Sequence, residues 1–108
     1  LAQDAIVVLD LSERCIYWNK SAERLYQWPP REVLGRKIDS LMYRDTALYQ
    51  QSFSETMVKG EWQGECRQVT RGDEAVIVES RWTLVQDDAG QPKSILIVNT
   101  HISEKKAI

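Results

Sequence analysis

Residues 60–86 read GEWQGECRQVTRGDEAVIVESRWTLVQ, and inside this stretch apolar side chains recur with a period of two. In an extended chain successive side chains point to opposite faces, so Trp62, Gly64, Cys66 and Gln68 share one side and Glu65 and Arg67 the other. Beyond Arg71-Gly72-Asp73 the alternation resumes. Val76, Val78, Ser80, Trp82 and Leu84 fall on one face, Glu79, Arg81 and Thr83 on the opposite one. The pattern predicts two strands, over 62–70 and 74–86, joined as a hairpin, with the first-named set of each turned toward the core.

Upstream the period changes to 3.6. Asp45 offers a cap to a helix over 46–59, Gly60 ends it, and Tyr49, Phe53, Thr56 and Met57 lie on one side. A short helix starting at Pro30 and ending before Gly35 precedes it, with another helical turn over 38–42. Asn19 caps a helix that Trp28-Pro29 stops. Before these come two strands, an apolar β-branched one over 4–9 and Cys15–Trp18, separated by the turn 11–14. Downstream, Asp87 to Pro92 is a loop, 93–102 a last strand, and Ser103 the cap of a helix that begins Glu104-Lys105-Lys106. The order is two strands, three or four short helices, then three strands.

Composition bounds the function. The chain has 108 residues, room for one domain with a core of its own. Its hydrophobic share of 43% and charged share of 28% are those of a globular protein. A net charge of -2, with basic residues scattered, argues against nucleic acid as a partner. No apolar run approaches the ~20 residues that cross a bilayer, so direct membrane insertion is not expected. Cys15 and Cys66 read as reduced thiols of a cytoplasmic protein, and the chain, which lacks an initiating Met, as part of a larger one. The one histidine, His101, has no local partner for a nucleophile relay, and one His with two distant Cys makes no zinc site. No glycine loop is built to cradle phosphate. These residues point away from an enzyme.

Several segments carry a resemblance. Residues 4–10, Ile16-Tyr17-Trp18-Asn19 with Lys20 to Glu23, Glu32 to Arg36, Gly60 to Glu65, and Val98-Asn99-Thr100-His101-Ile102-Ser103 occur in the order found in the PAS domain family. The resemblance covers essentially the whole chain. It implies an α+β fold, a five-stranded antiparallel sheet of order 2-1-5-4-3 with short helices on one face. It also implies a sensory domain over 1–102 and, over 103–108, the start of a linker or signalling helix. Such modules bind a small ligand or dimerise, and they relay to an output domain in the same chain, such as a histidine kinase of a two-component system. In that strand order Cys15 and Cys66 sit on opposite edges and cannot form a disulfide.

The ligand pocket so implied is lined by Phe53, Met57, Trp62, Cys66, Val78, Ser80, Trp82, Ile97 and Asn99. Ile95, Ile97, Asn99 and His101 share the inward parity of the last strand, and the buried amide of Asn99 needs a partner. In flavin-binding members an amide here reads the edge of the flavin ring; a backbone group or buried water is the plainer partner. The cofactor is unknown, but departures narrow it. Tyr43 to Ala47 lacks the reactive cysteine of the photoadduct class, and 46–59 lacks the axial histidine of the haem class. Phe53 stands where FAD-holding redox members tend to have Trp. A flavin redox sensor therefore stands as an alternative, and a cone-shaped isomerase or dehydratase domain as another. His101, where the family usually has Asp, and Ser103 are the expected signal relay. The apolar outer positions Ile6, Val8, Leu96 and Val98 predict a homodimer through the sheet.

Overall fold

The computed structural model describes residues 3–102. Five strands and four helices follow in the expected order: β1 (Ala5–Asp10), β2 (Cys15–Trp18), α1 (Lys20–Tyr26), α2 (Pro30–Val33), α3 (Asp39–Met42), α4 (Thr46–Lys59), β3 (Glu61–Val69), β4 (Ala75–Gln86) and β5 (Pro92–His101). The sheet is antiparallel throughout, in the order β2-β1-β5-β4-β3. The helix expected from Ser103 onward lies outside the described residues.

Local chemistry accounts for the boundaries. The Asn19 side chain accepts from the Ala22 amide at the start of α1 and from the Ile6 amide of β1, while its own amide donates to the Asp4 carbonyl. One residue thereby caps a helix and pins it to the sheet. Asp45 caps α4 through the Ala47 amide, and Gly60, at φ 89°, closes it in the left-handed conformation that glycine tolerates best. Along α4 the buried residues are Tyr49, Ser52 and Thr56, with Phe53 and Met57 half-buried at their flank. The two hydroxyls can face the core because each bonds back to a carbonyl one turn earlier, Ser52 to Leu48 and Thr56 to Ser52.

The core lies between the helices and one face of the sheet. Burial alternates strictly on β1, where Ala5, Val7 and Leu9 are buried and Ile6, Val8 and Asp10 only partly so. β1 therefore has one covered face and one partly open one. β2 is an edge strand whose backbone is met by the chain after α2: the Cys15 amide donates to the Arg36 carbonyl and the Gly35 amide to the Cys15 carbonyl.

Candidate functional site

Strand register brings the inward residues into rows. Trp62 lies opposite Trp82, and Trp82 opposite Ile97; Gly64 lies opposite Ser80, and Ser80 opposite Asn99; Cys66 lies opposite Val78. Phe53, Met57 and Trp62 pack against the core that holds Cys66, Val78, Trp82 and Ile97, and Ser80 and Asn99 are buried in register with these. Of the nine sequence-predicted pocket residues, Trp62 and Trp82 line the cleft at the end of α4. His101 shares their parity but is exposed. β1 stops at Ala5, opposite Asn99, so beyond that point β5 has a strand on one side only. The inward placement expected of His101 is corrected accordingly. Ser103 is outside the described residues.

The centre of this face is a run of hydrogen bonds. The Trp82 indole N–H donates to Ser80 Oγ at 3.0 Å, and Ser80 donates to Asn99 Oδ1 at 2.6 Å. Asn99 Nδ2 donates to the Tyr26 hydroxyl at 2.9 Å, and Tyr26 in turn donates to Gln68 Oε1. Gln68 Nε2 donates to the Tyr43 hydroxyl at 3.0 Å. Asn99 therefore bonds to two side chains, Ser80 and Tyr26. Tyr26, Gln68 and Tyr43 did not figure among the sequence-predicted pocket residues. Gln68 had the right parity, and Tyr26 ends α1 at core spacing, but nothing local says that they meet.

Burial sets the protonation of these groups. It raises the Tyr26 phenol well above its ordinary value, reinforced by the neighbouring Tyr43 and opposed by the Asn99 hydrogen bond. Tyr43 is likewise raised, first by burial and then by Cys66. Burial pushes the Cys66 thiol up to about 11, against the pull of Ser80 and Tyr43. Every member of the cluster is thus neutral near pH 7. It can orient and transmit hydrogen bonds, and it holds no group poised as an acid or base.

Two openings reach the surface nearby. A cavity of about 270 Å³ between the start of α4 and β3 is lined by Arg44, Leu48, Arg67 and Ala75 and has the buried Gln68 at its wall. A cleft of about 440 Å³ at the other end of α4 is bounded by Lys59, Trp62 and Arg81, among others. Between them the space over the sheet is filled by aromatic rings. Trp82 meets Tyr49 edge-on at 5.6 Å and Trp62 edge-on at 6.3 Å, and Tyr49 meets Tyr43 at 5.5 Å. A flavin requires a flat slot and an amide free to read its edge. Here edge-to-face rings occupy the slot and the amide is engaged on both ends, so the residues present do not fit that group.

The comparisons agree with this architecture. A family profile described as the PAS fold matches residues 1–107. The PAS domain of a protein from Colwellia psychrerythraea superposes with a TM-score of 0.85 at 28% identity, over 94% of this chain and 87% of that one. An RNA-binding light-oxygen-voltage receptor matches with a TM-score of 0.79 at 21% identity, over 95% of this chain and 30% of the receptor. A variant of RsLOV matches at 0.80 and 19% identity, over 98% of this chain and 67% of that chain. The last two likenesses concern the fold alone. Among curated proteins none matches in sequence. With sheet order, helix placement and a profile match over nearly every residue in accord, this chain belongs to the PAS family of sensory domains.

Proposed function

We propose that this domain is the cytoplasmic input module of a larger signalling protein, passing its signal along β5 to an output domain in the same chain, such as a histidine kinase of a two-component system. The carrying observation is the double engagement of β5. Its inward Asn99 sits at the middle of the buried hydrogen-bond run, while its outward Leu96 and Val98 lie in an apolar surface with Ile6 and Val8. That surface continues onto β2, where Ile16 is 53% and Tyr17 51% exposed. Tyr17 pairs with Val8 and Val8 with Leu96, so the apolar groups form one continuous row across three strands. An open patch of this kind is suited to a second copy of the domain. A rearrangement on the inner face of β5 then reaches the dimer interface through the thickness of one strand. Where the signal is a small molecule, the cavity beside Gln68 is the entry this reading favours.

The domain itself performs no reaction in this reading. Its support is the character of the inward polar groups, which are hydroxyls, amides and a thiol with raised pKa values, with no carboxylate in the run. Among the described residues no helix is long and apolar enough to cross a membrane.

Sedimentation velocity at micromolar concentration tests the pairing. The expected result is a dimer that Val8→Glu with Leu96→Glu converts to a monomer of unchanged fold. In the longer protein the same pair should disconnect output from signal. A strict monomer with the native sequence, or a dimer indifferent to both glutamates, would remove the outer face from the mechanism.

A further inference from the structure

The buried run carries one donor direction from end to end. An indole N–H only donates, so the Ser80 oxygen accepts from Trp82, and its own hydrogen turns toward Asn99. That places the Asn99 carbonyl at Ser80 and its NH₂ at Tyr26. The Tyr26 hydroxyl, having accepted, donates onward to Gln68 Oε1, and the Gln68 NH₂ is left to donate to Tyr43. Six side chains from β4, β5, α1, β3 and the turn after α3 form one sequence of donors, each bonded to the next.

We infer that the interior of this domain takes no flavin, and that this self-satisfied donor run, closed over by Tyr49 and Trp82, supplies from within the contacts a ligand's polar edge would supply elsewhere. The amide of Asn99 belongs to the protein's own hydrogen bonding. The run also has a destination. Tyr26 is the last residue of α1, and its carbonyl accepts from the Arg71 amide in the β3–β4 turn. The next residue, Gln27, accepts from the Gly72 amide at 3.2 Å and reaches Glu74 at 3.4 Å. On the same turn Arg44 pairs with Asp73. The run therefore locks β5, through Tyr26, to a hairpin tip that is itself fastened to the start of α4. The inference goes beyond the relay reading, since it concerns what occupies the interior. Flavin binding would overturn it and leave dimerisation untouched.

The experiment uses protein unfolded in denaturant, freed of small molecules and refolded. Its melting temperature is measured alone and with FMN, FAD or riboflavin, beside the flavin absorption that stays with the protein after gel filtration. Asn99→Leu, Tyr26→Phe and Ser80→Ala are measured the same way. Each single variant should melt about 5–15 °C below the native sequence without any ligand, because it leaves a buried partner unpaired. The double variant Asn99→Leu with Tyr26→Phe should lose less than the two losses added, because both cut the same run. If one of these fails to fold, Ser80→Ala, the smallest change, carries the comparison. No flavin should be retained and none should raise the melting temperature. Stoichiometric retention of a flavin that Asn99→Leu abolishes would overturn the inference. So would single variants that melt with the native protein, since the amide would then be held in reserve for a ligand.

Discussion

The two faces of β4 are built from neighbouring residues with opposite tasks. On the inner side Val78, Ser80 and Trp82 are buried to 0%, 0% and 1% exposure, and they touch α4, β3 and β5 at once. On the outer side Glu79, Arg81 and Thr83 alternate with them, and Arg81 and Thr83 are exposed. The inner face of the sheet buries three polar side chains, Gln68, Ser80 and Asn99, among apolar ones. It meets its hydrogen-bonding obligations within itself, where an apolar core would have none. The outer face of the sheet divides instead along its width. It is polar on β3, through the charged Glu61, Glu65 and Arg67 and the amide of Gln63, and apolar on β1, β2 and β5. Charges on the edge strand discourage a further strand from adding there. One face therefore specifies a single interior, and the other is the side on which the proposed dimer would form.

The sharpest way to break that contrast is to truncate adjacent residues on opposite faces. Trp82→Ala should cost about 3–5 kcal/mol, since it empties a large buried volume and strands Ser80 without its donor. Arg81→Ala, one position away, should stay within about 0.5 kcal/mol. Urea titrations of the two proteins give both numbers. Similar losses for both would mean that the faces are not separated as the register places them.

How much of this was legible follows from what each feature depends on. The Asn19 and Asp45 caps and the inward sets of β3 and β4 rest on local spacing, the strand order on the resemblance to the PAS family, and they stand as read. The donor run rests on pairings between Tyr26 and Gln68, 42 positions apart, and between Tyr26 and Asn99, 73 apart. Alternation can say that Gln68 and Asn99 face inward, but not that a tyrosine at the end of α1 will lie between them. His101 shows the converse limit. Parity predicts direction, and burial further requires a neighbouring strand, which β1 does not provide that far along. The α4 face was read as Tyr49, Phe53, Thr56 and Met57, and Ser52 was missed because its back-bonded hydroxyl behaves as an apolar group.

A smaller effect sharpens the account of the inner face at its rim. Gly64 is the one inward β3 position without a side chain, and the Trp62 ring lies over it. A Cβ built there would stand 2.8 Å from one ring carbon and 2.9 Å from another. Gly64→Ala should therefore displace Trp62 from its edge-on contact with Trp82, at a net cost of about 1–3 kcal/mol, although alanine is otherwise the better strand residue. The displacement should appear as a red shift in tryptophan emission, with Trp62→Phe as the reference. A Gly64→Ala protein at least as stable as the native one, with unchanged emission, would show that the ring has room to yield.

The smallest effect concerns the two thiols, one at each end of the sheet. Cys15 on β2 and Cys66 on β3 are both fully buried and free, on opposite edge strands. Burial raises each from 9.0 to about 11, with a backbone hydrogen bond at Tyr17 acting oppositely at Cys15 and the Ser80 and Tyr43 hydroxyls at Cys66. A thiol whose folded pKa lies above its unfolded one favours the folded state while it is protonated. That contribution is complete below pH 9 and is lost as the pH rises toward about 11. Cys15→Ala with Cys66→Ala should accordingly flatten the decline of stability over that interval, relative to the native sequence. The buried tyrosines, also raised, keep some decline in both proteins. At pH 8 neither thiol should react with a maleimide in the folded protein, since the thiolate is scarce and covered, and both should react in denaturant without reductant. An intramolecular crosslink would contradict the strand order. Rapid labelling of Cys66 in the native state would mean that the donor run opens to solvent far more readily than its internal pairing implies.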